Sequence, residues 1–199
     1  MCRIPTNVSE RTKPRSRAGL YLAGVAVGVG LLASALMGAT AAAEPTPREI
    51  LDPWTGTWHG EFIVYGQNGE KQTTLDVRQR YWWDGDIQRA EFVETDPDGN
   101  VVTAEARNYA DANGRLVCEV DKSTGESSKH FGTFTDGYLF WHGDTPGRVE
   151  TFRERVEVDD AGRRTYTITG FGAYGRGESQ QFFFFVGRYA EVTDTASDA

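Results

Sequence analysis

The stretch TTLDVRQRYWW, residues 73–83, decides the fold class, because apolar and charged residues alternate along it. The apolar residues share one face and the charged residues share the other. They are Leu75, Val77, Tyr81 and Trp83 on the first face and Asp76, Arg78 and Arg80 on the second. A helix would repeat every 3.6 residues, so a period of two predicts a half-buried β-strand.

Short turn signals separate similar stretches along the rest of the chain. Asn-Gly and Asp-Gly pairs supply the positive φ angles of tight hairpins, so they connect neighbouring antiparallel strands. Nine such signals predict about ten strands. They are QNG at 67–69, DG at 84–85, DPDGN at 96–100, NG at 113–114, STG at 123–125, DG at 136–137, TPG at 145–147, DDAG at 159–162 and YGRG at 174–177.

Ten short antiparallel strands form either a sandwich or a barrel. Every connection has hairpin length, whereas a Greek key needs a long crossing connection, and pairing the first strand with the last removes two exposed edges. The final strand, residues 180–191, carries four consecutive phenylalanines, so both of its faces need cover. The prediction is an all-β, up-and-down meander closed into a barrel.

The first 43 residues differ from the rest. Five basic residues precede an uncharged apolar run at 18–43 that ends in three alanines, which is typical of an export signal. We expect cleavage after Ala43 and a periplasmic or extracellular location; the alternative is a membrane anchor formed by residues 18–43. The expected division is a helical signal at 1–43, a lead-in at 44–53, the barrel at 54–192 and a disordered tail at 193–199.

Charge and cysteine content narrow the function classes. The chain has 21 Lys and Arg and 29 Asp and Glu, and the leader holds five of the former and one of the latter, which leaves a net charge of −12. Such a surface repels phosphate backbones and anionic lipids, so we expect neither nucleic-acid nor membrane binding. Cys118 is the one cysteine after the leader, and its apolar neighbours Leu116 and Val120 predict a buried, inert thiol.

The entry of the barrel, LDPWTGTWHG at 51–60, carries a Gly-x-Trp triplet at Gly56 and Trp58. It resembles the first strand of lipocalin-like barrels of the calycin superfamily, including small exported bacterial ones. The resemblance implies that Trp58 closes the barrel floor and that Arg188, late in the last strand, packs across it. It also implies an interior that binds a small hydrophobic or amphipathic molecule. Ten strands resemble the fatty-acid-binding and nitrobindin-like branches and eight the others, so the subtype stays open.

Charged residues interrupt two predicted neighbouring strands. Arg89 shares a face with Ile87 and Val93, and Glu105 and Arg107 share one with Tyr109. If these faces point inward, an arginine would hold a ligand carboxylate. In the other orientation Gln88, Ala90 and Phe92 point inward and the charges form exposed cross-strand pairs. The candidate ligand-binding residues are Arg89, Arg107, Glu105, Tyr81, Trp83, Tyr109, Phe140 and Tyr166.

Other functions remain open. The histidines His59, His130 and His142 match no zinc spacing, and we expect neither a metal nor another cofactor; alternation turns His59 outward. An enzyme acting on a hydrophobic or phenolic acid would use Tyr81, Glu105 and Arg107 for proton transfer. A third possibility is a structural or interaction barrel that presents residues 180–191 to a partner.

Overall fold

The computed structural model describes residues 44–193, so the predicted signal segment and all but the first residue of the predicted tail lie outside the described residues. A short helix α1 and a 3₁₀ turn at Asp52–Trp54 precede ten strands, and a second 3₁₀ turn lies at Gly177–Ser179. The helix and strands are α1 Pro47–Leu51, β1 Gly56–Gly66, β2 Lys71–Asp84, β3 Ile87–Thr95, β4 Val101–Ala110, β5 Leu116–Lys122, β6 Ser127–Thr135, β7 Tyr138–Thr145, β8 Arg148–Val158, β9 Arg164–Tyr174 and β10 Gln181–Glu191. None of the helices within 44–193 has the length and apolar character needed to cross a membrane.

The strands form one closed antiparallel barrel in which each strand pairs with its neighbours in sequence. Closure comes from β1 and β10, which pair from Trp58 opposite Glu191 to Gly66 opposite Phe183. All nine predicted turn signals connect consecutive strands, and glycines such as Gly85 and Gly137 adopt the positive φ that these turns require. The predicted ten-stranded meander and its closure are confirmed.

The helix α1 covers one end of the barrel, which we call the floor. Thr46 and Glu49 cap it reciprocally: the Thr46 hydroxyl accepts from the Glu49 backbone N–H, and the Glu49 carboxylate accepts from the Thr46 backbone N–H. The buried side chains of Leu51 and Trp54 then join the core around Trp58, whose indole N–H donates to the Trp54 carbonyl at 2.7 Å. The opposite end, which we call the mouth, has no such cover among the described residues.

Arg164 of β9 seals the floor from outside. Its guanidinium lies 4.9 Å from the centre of the Trp58 ring and donates to the backbone carbonyls of Pro53 and Thr55 and to the carboxylate of Glu191. Arg188 is exposed on the outer face of β10, opposite Glu61 on β1. The arginine that packs across the floor tryptophan is therefore Arg164 and not Arg188, because alternation on β10 turns Tyr189 inward and Arg188 outward.

The contacts of Arg164 at the floor predict that its loss destabilises the protein more than the loss of Arg188. We expect Arg164→Ala to lower the free energy of unfolding by about 2–3 kcal/mol, because two backbone carbonyls and a carboxylate lose a charged donor. Arg188→Ala, the matched control, should change it by less than about 0.5 kcal/mol. Urea unfolding of both variants measures the difference, and equal losses would show that Arg164 does not seal the floor.

Candidate functional site

The barrel encloses a cavity that runs from the floor toward the mouth. Its inner part, which we call the chamber, measures about 160 Å³, and its outer part at the mouth measures about 430 Å³. Both parts are lined by Phe62, Phe152 and Ile168, so the two are continuous. A dry cavity of about 150 Å³ already accommodates a benzene ring. The chamber therefore has room for one aromatic ring, with further space above it.

Small side chains create this space. Ala104 and Ala106 on β4 face the chamber, and Ala90 lies buried opposite Tyr81 on β2. Gly132 on β6 makes room in another way, since a Cβ there would lie 2.7 Å from the Trp141 ring. Glycine at this position thus lets the indole lie against the barrel wall and leaves the centre open.

A relay of amide groups connects the floor to the chamber. The Gln88 amide nitrogen donates to the Leu51 carbonyl at 2.7 Å. This bond turns the Gln88 amide oxygen toward Asn108, and the Asn108 amide nitrogen donates to that oxygen at 3.1 Å. The Asn108 oxygen consequently remains as a free acceptor, and it is buried without a hydrogen-bond partner within the described residues. Asn108 lines the chamber, so the relay fixes which end of its amide is left unsatisfied.

Glu154 of β8 lines the chamber and has a raised pKa. Burial raises its pKa from 4.5 to about 7, and hydrogen bonding to Tyr166 and Trp141 only partly opposes the rise. No salt bridge within residues 44–193 involves this carboxyl group. It is therefore an acid inside the barrel without a cation among these residues, enclosed by the protein and partly accessible from the cavity that it lines.

Three tyrosines surround Glu154. Burial, and then the negative charge of Glu154, raise the pKa of Tyr81 and of Tyr166 above the ordinary value of 10.0, and the same two causes act on Tyr189. The rings of Tyr166 and Tyr189 lie 5.0 Å apart, and the Tyr81 hydroxyl donates to the side-chain oxygen of Gln79 at 3.0 Å. These phenols therefore stay protonated at neutral pH and act as hydrogen-bonding groups.

The charges at the mouth are paired with one another. The Lys122 ammonium lies 3.1 Å from a Glu94 oxygen, and Arg148 binds both Glu126 and Glu150. His130 is buried, and its Nε2 lies 2.8 Å from the Glu150 carboxylate. Neither cation at the mouth is thus free to serve as a counter-ion for the chamber.

Glu150 shows the opposite behaviour from Glu154. Burial alone would raise its pKa, but hydrogen bonds to His130, Arg148 and Tyr174 outweigh burial and lower the pKa to about 2. A carboxylate with three partners is a structural group that ties β6, β8 and β9 together at the mouth. The contrast is therefore between Glu150, which a cation holds, and Glu154, which has neutral hydrogen-bond partners and no cation within residues 44–193.

The structure places three of the sequence-predicted site residues on the inside. Tyr81 and Tyr166 line the chamber. Trp83 lies at the floor, where its indole N–H donates to Asp52 at 2.9 Å and the Arg48 guanidinium stacks 4.3 Å from its ring centre. Trp83 therefore belongs to the closure of the barrel, while the two tyrosines belong to the cavity.

The other predicted residues lie on the outer surface. Arg89 pairs with Asp84, Arg107 pairs with Glu119, and the Tyr109 hydroxyl donates to Glu119. The remaining two, Glu105 and Phe140, alternate with the inward residues Ala106 and Trp141. The second orientation weighed for the charged strands is the one observed, with Gln88, Ala90 and Phe92 turned inward. The structure does not bring Tyr81 together with Glu105 and Arg107.

Cys118 and two of the histidines have neighbours that the structure identifies. Cys118 lines the chamber, and burial raises the pKa of its thiol, so the thiolate is disfavoured. His59 is exposed beside Asp76, as alternation predicts, while His130 points inward to Glu150. Across residues 44–193 no three His, Cys, Asp or Glu side chains cluster as metal ligands would.

Comparison with one solved structure, a phycobiliprotein lyase, supports this geometry at the level of fold. The S-type phycobiliprotein lyase CPES from Guillardia theta superposes with a TM-score of 0.55 at 7% identity, covering 75% of this chain and 94% of that one. A de novo designed fluorescence-activating β-barrel gives 0.35 at 13% identity, covering 71% and 95%. Lobster apocrustacyanin A1 gives 0.32 at 13% identity, covering 73% and 64%. No protein-family model and no curated protein matches the sequence.

The chain thus has the fold that the resemblance to lipocalin-like barrels implies: a closed, ten-stranded antiparallel barrel with one covered end and an internal cavity. In this class of protein the inside of the barrel is separate from its charged outer surface. The residues that could act on a small molecule are those of the chamber, above all Glu154, Asn108, Tyr81 and Tyr166.

The buried acid predicts a pH dependence of stability. Because the folded-state pKa of Glu154 is about 7 against 4.5 for the free side chain, the folded protein binds more protons than the unfolded one between these values. Rising pH therefore destabilises the fold across this range. We expect Glu154→Gln to remove this pH-dependent loss of stability. The free energy of unfolding of the variant should exceed that of the parent protein by an amount that grows from pH 4.5 to 7 toward about 3 kcal/mol.

Chemical denaturation across this pH range measures the effect. Glu105→Gln changes an exposed residue on the outer face and is the matched control. Its free energy of unfolding should follow the same pH dependence as that of the parent protein. A pH-independent difference between Glu154→Gln and the parent would mean that Glu154 has an ordinary pKa.

Proposed function

We propose that the barrel binds a small hydrophobic or amphipathic molecule in its interior. The observation that carries the proposal is the continuous cavity. The walls of its chamber are mostly apolar and aromatic, with a few polar groups among them, and the charged residues of the mouth are paired with one another. Largely apolar cavities with a few convergent polar groups are typical of small-molecule sites. The fold supports the proposal in general terms, because a closed barrel provides a shielded interior.

The entry route lies at the mouth. Val64, Leu75, Phe183 and Phe185 form an apolar rim there, and the floor end is filled by α1 and Trp58. An apolar molecule would replace water along this rim before it reaches the chamber, and burial of its surface against these four side chains favours its transfer from solvent. The outer arginines Arg89 and Arg107 have no part in this route, because their strands turn Ala90 and Ala106 toward the interior.

We propose further that binding takes place outside the cytoplasm. The support is the sequence of residues 1–43, where a basic start is followed by a long uncharged run and three alanines. Export would suit a carrier of a poorly soluble compound, since the acidic surface keeps the loaded protein soluble. Sequencing the N-terminus of the protein from its producing cell tests this point: cleavage after Ala43 is expected.

Filling the chamber should weaken binding. Ala106 is buried on the cavity wall, so Ala106→Phe is expected to occupy the space of an aromatic ring and to weaken binding of uncharged N-phenylnaphthylamine by at least about tenfold. Arg107→Ala, one residue along the same strand but outside, is the matched control and should leave the affinity unchanged.

Fluorescence titration of the dye measures both affinities, and thermal unfolding shows that both variants remain folded. The proposal fails if the parent protein does not bind the dye, or if Ala106→Phe binds it as tightly as the parent. Weaker binding by Arg107→Ala would instead place the ligand on the outer face of β3 and β4.

A further inference from the structure

The charges that face the cavity are unbalanced. Four carboxyl groups line the chamber and mouth, against the two permanent cations Lys122 and Arg148. Both cations are held by carboxylates at the mouth. The four acids are Glu94, Glu126, Glu150 and Glu154. An anionic ligand would therefore meet an interior that is already acidic, while a cationic ligand would meet Glu154, an acid that has no cation within residues 44–193.

Asn108 and Glu154 line the same chamber. Asn108 stands directly opposite Cys118 in the pairing of β4 with β5, and Cys118 is close enough to Glu154 for the carboxylate to contribute to its raised pKa. Asn108 is only 6% exposed, and its free oxygen is fixed by the Gln88 relay. Burying an acceptor without a donor costs free energy that a ligand donor would recover.

Aromatic faces complete the environment of these acceptors. Tyr166, Tyr189 and Trp141 line the chamber around Glu154, and the negative faces of such rings attract a cation. The phenol hydroxyls can accept a hydrogen bond as well as donate one. An ammonium group offers three donors and no acceptor, which matches a site made of a carboxylate, an amide oxygen and phenols.

We propose that the chamber selects a ligand whose buried end carries a protonated basic nitrogen and whose apolar body extends toward the mouth. This rests on the proposed function, since it names the class of molecule that the interior would hold. The amine nitrogen binds between Glu154 and the Asn108 oxygen, and the body lies against Phe62, Phe152 and Ile168.

The groups that face Glu154 come from five strands. They are Tyr81 on β2, Cys118 on β5, Trp141 on β7, Tyr166 on β9 and Tyr189 on β10, with the Lys122–Glu94 pair farther up the same chamber. The phenols and the thiol keep their protons throughout the neutral range, so Glu154 is the group of this set that changes charge there. Binding of an amine should therefore strengthen as Glu154 ionises.

Three matched probes test the proposal on the full chain: naphthylethylamine, the neutral naphthylethanol and the anionic naphthylacetate. We expect the amine to bind about tenfold tighter than the alcohol and the acetate to bind weakest, with affinities measured by displacement of N-phenylnaphthylamine. The amine affinity should rise between pH 5 and pH 8, because it depends on the ionised carboxylate.

Glu154→Gln is the diagnostic variant, and Glu105→Gln on the outer face is its control. The first should remove both the preference for the amine and its pH dependence while leaving the affinity for the alcohol within about twofold, since the cavity keeps its size. The second should retain the parent behaviour. Because removal of a buried charge is expected to stabilise the fold, Glu154→Gln should remain folded.

The possible results separate the two proposals. Equal binding of the three probes, a preference for the acetate, or an amine preference that survives Glu154→Gln would overturn the amine proposal while leaving a ligand-binding barrel in place. Absence of any binding, including that of N-phenylnaphthylamine, would overturn the proposed function and the amine proposal with it.

Discussion

The pairing of β1 with β10 is the constraint on which the rest of the molecule depends. Nine residue pairs, from Trp58 opposite Glu191 to Gly66 opposite Phe183, turn a ribbon of hairpins into a cylinder without a free edge. After closure every strand residue lies either inside or outside. The ion pair between Arg164 and Glu191 stands beside this seam and links β9 to the floor tryptophan. The chamber exists only because β1 and β10 pair and close the barrel.

The openness of the interior follows from which residues closure places there. Small barrels normally fill their inside with side chains. Here three inward positions hold alanine, where larger residues would reach across the barrel: Ala90, Ala104 and Ala106. The wall therefore lacks dispersion contacts that a filled core would make. The floor offsets part of this loss, because Trp54, Trp58 and Leu51 are almost completely buried there. The molecule thus concentrates its core at one end and leaves the other end accessible.

The sequence predicts the fold well because the deciding signals are local. Each turn depends on a few adjacent residues, and each strand face depends on a period of two. Neighbouring residues alone do not determine which face of β3 points inward, since both faces mix apolar and polar residues. The register could still have been inferred: a two-residue turn after Asp84 sets Trp83 opposite Gln88 and Tyr81 opposite Ala90, and opposite residues share a face. Arg89 then lies outside. The prediction that Arg188 packs across Trp58 was wrong for a related reason: Tyr189 points inward on β10, so the neighbouring Arg188 points outward.

Glu154 is the residue that local patterns hide, since it lies between Arg153 and Arg155 and looks like part of a charged surface strand. Its face, shared with Phe152 and Val156, gives a weak signal. Its real surroundings, Tyr81 and Cys118, come from strands that closure alone brings near. Glu150 differs, because Arg148, His130 and Tyr174 hold its carboxylate and keep it ionised. Glu154 costs stability above its ordinary pKa and has no cation within residues 44–193, so its place in the chamber is not explained by a contribution to stability.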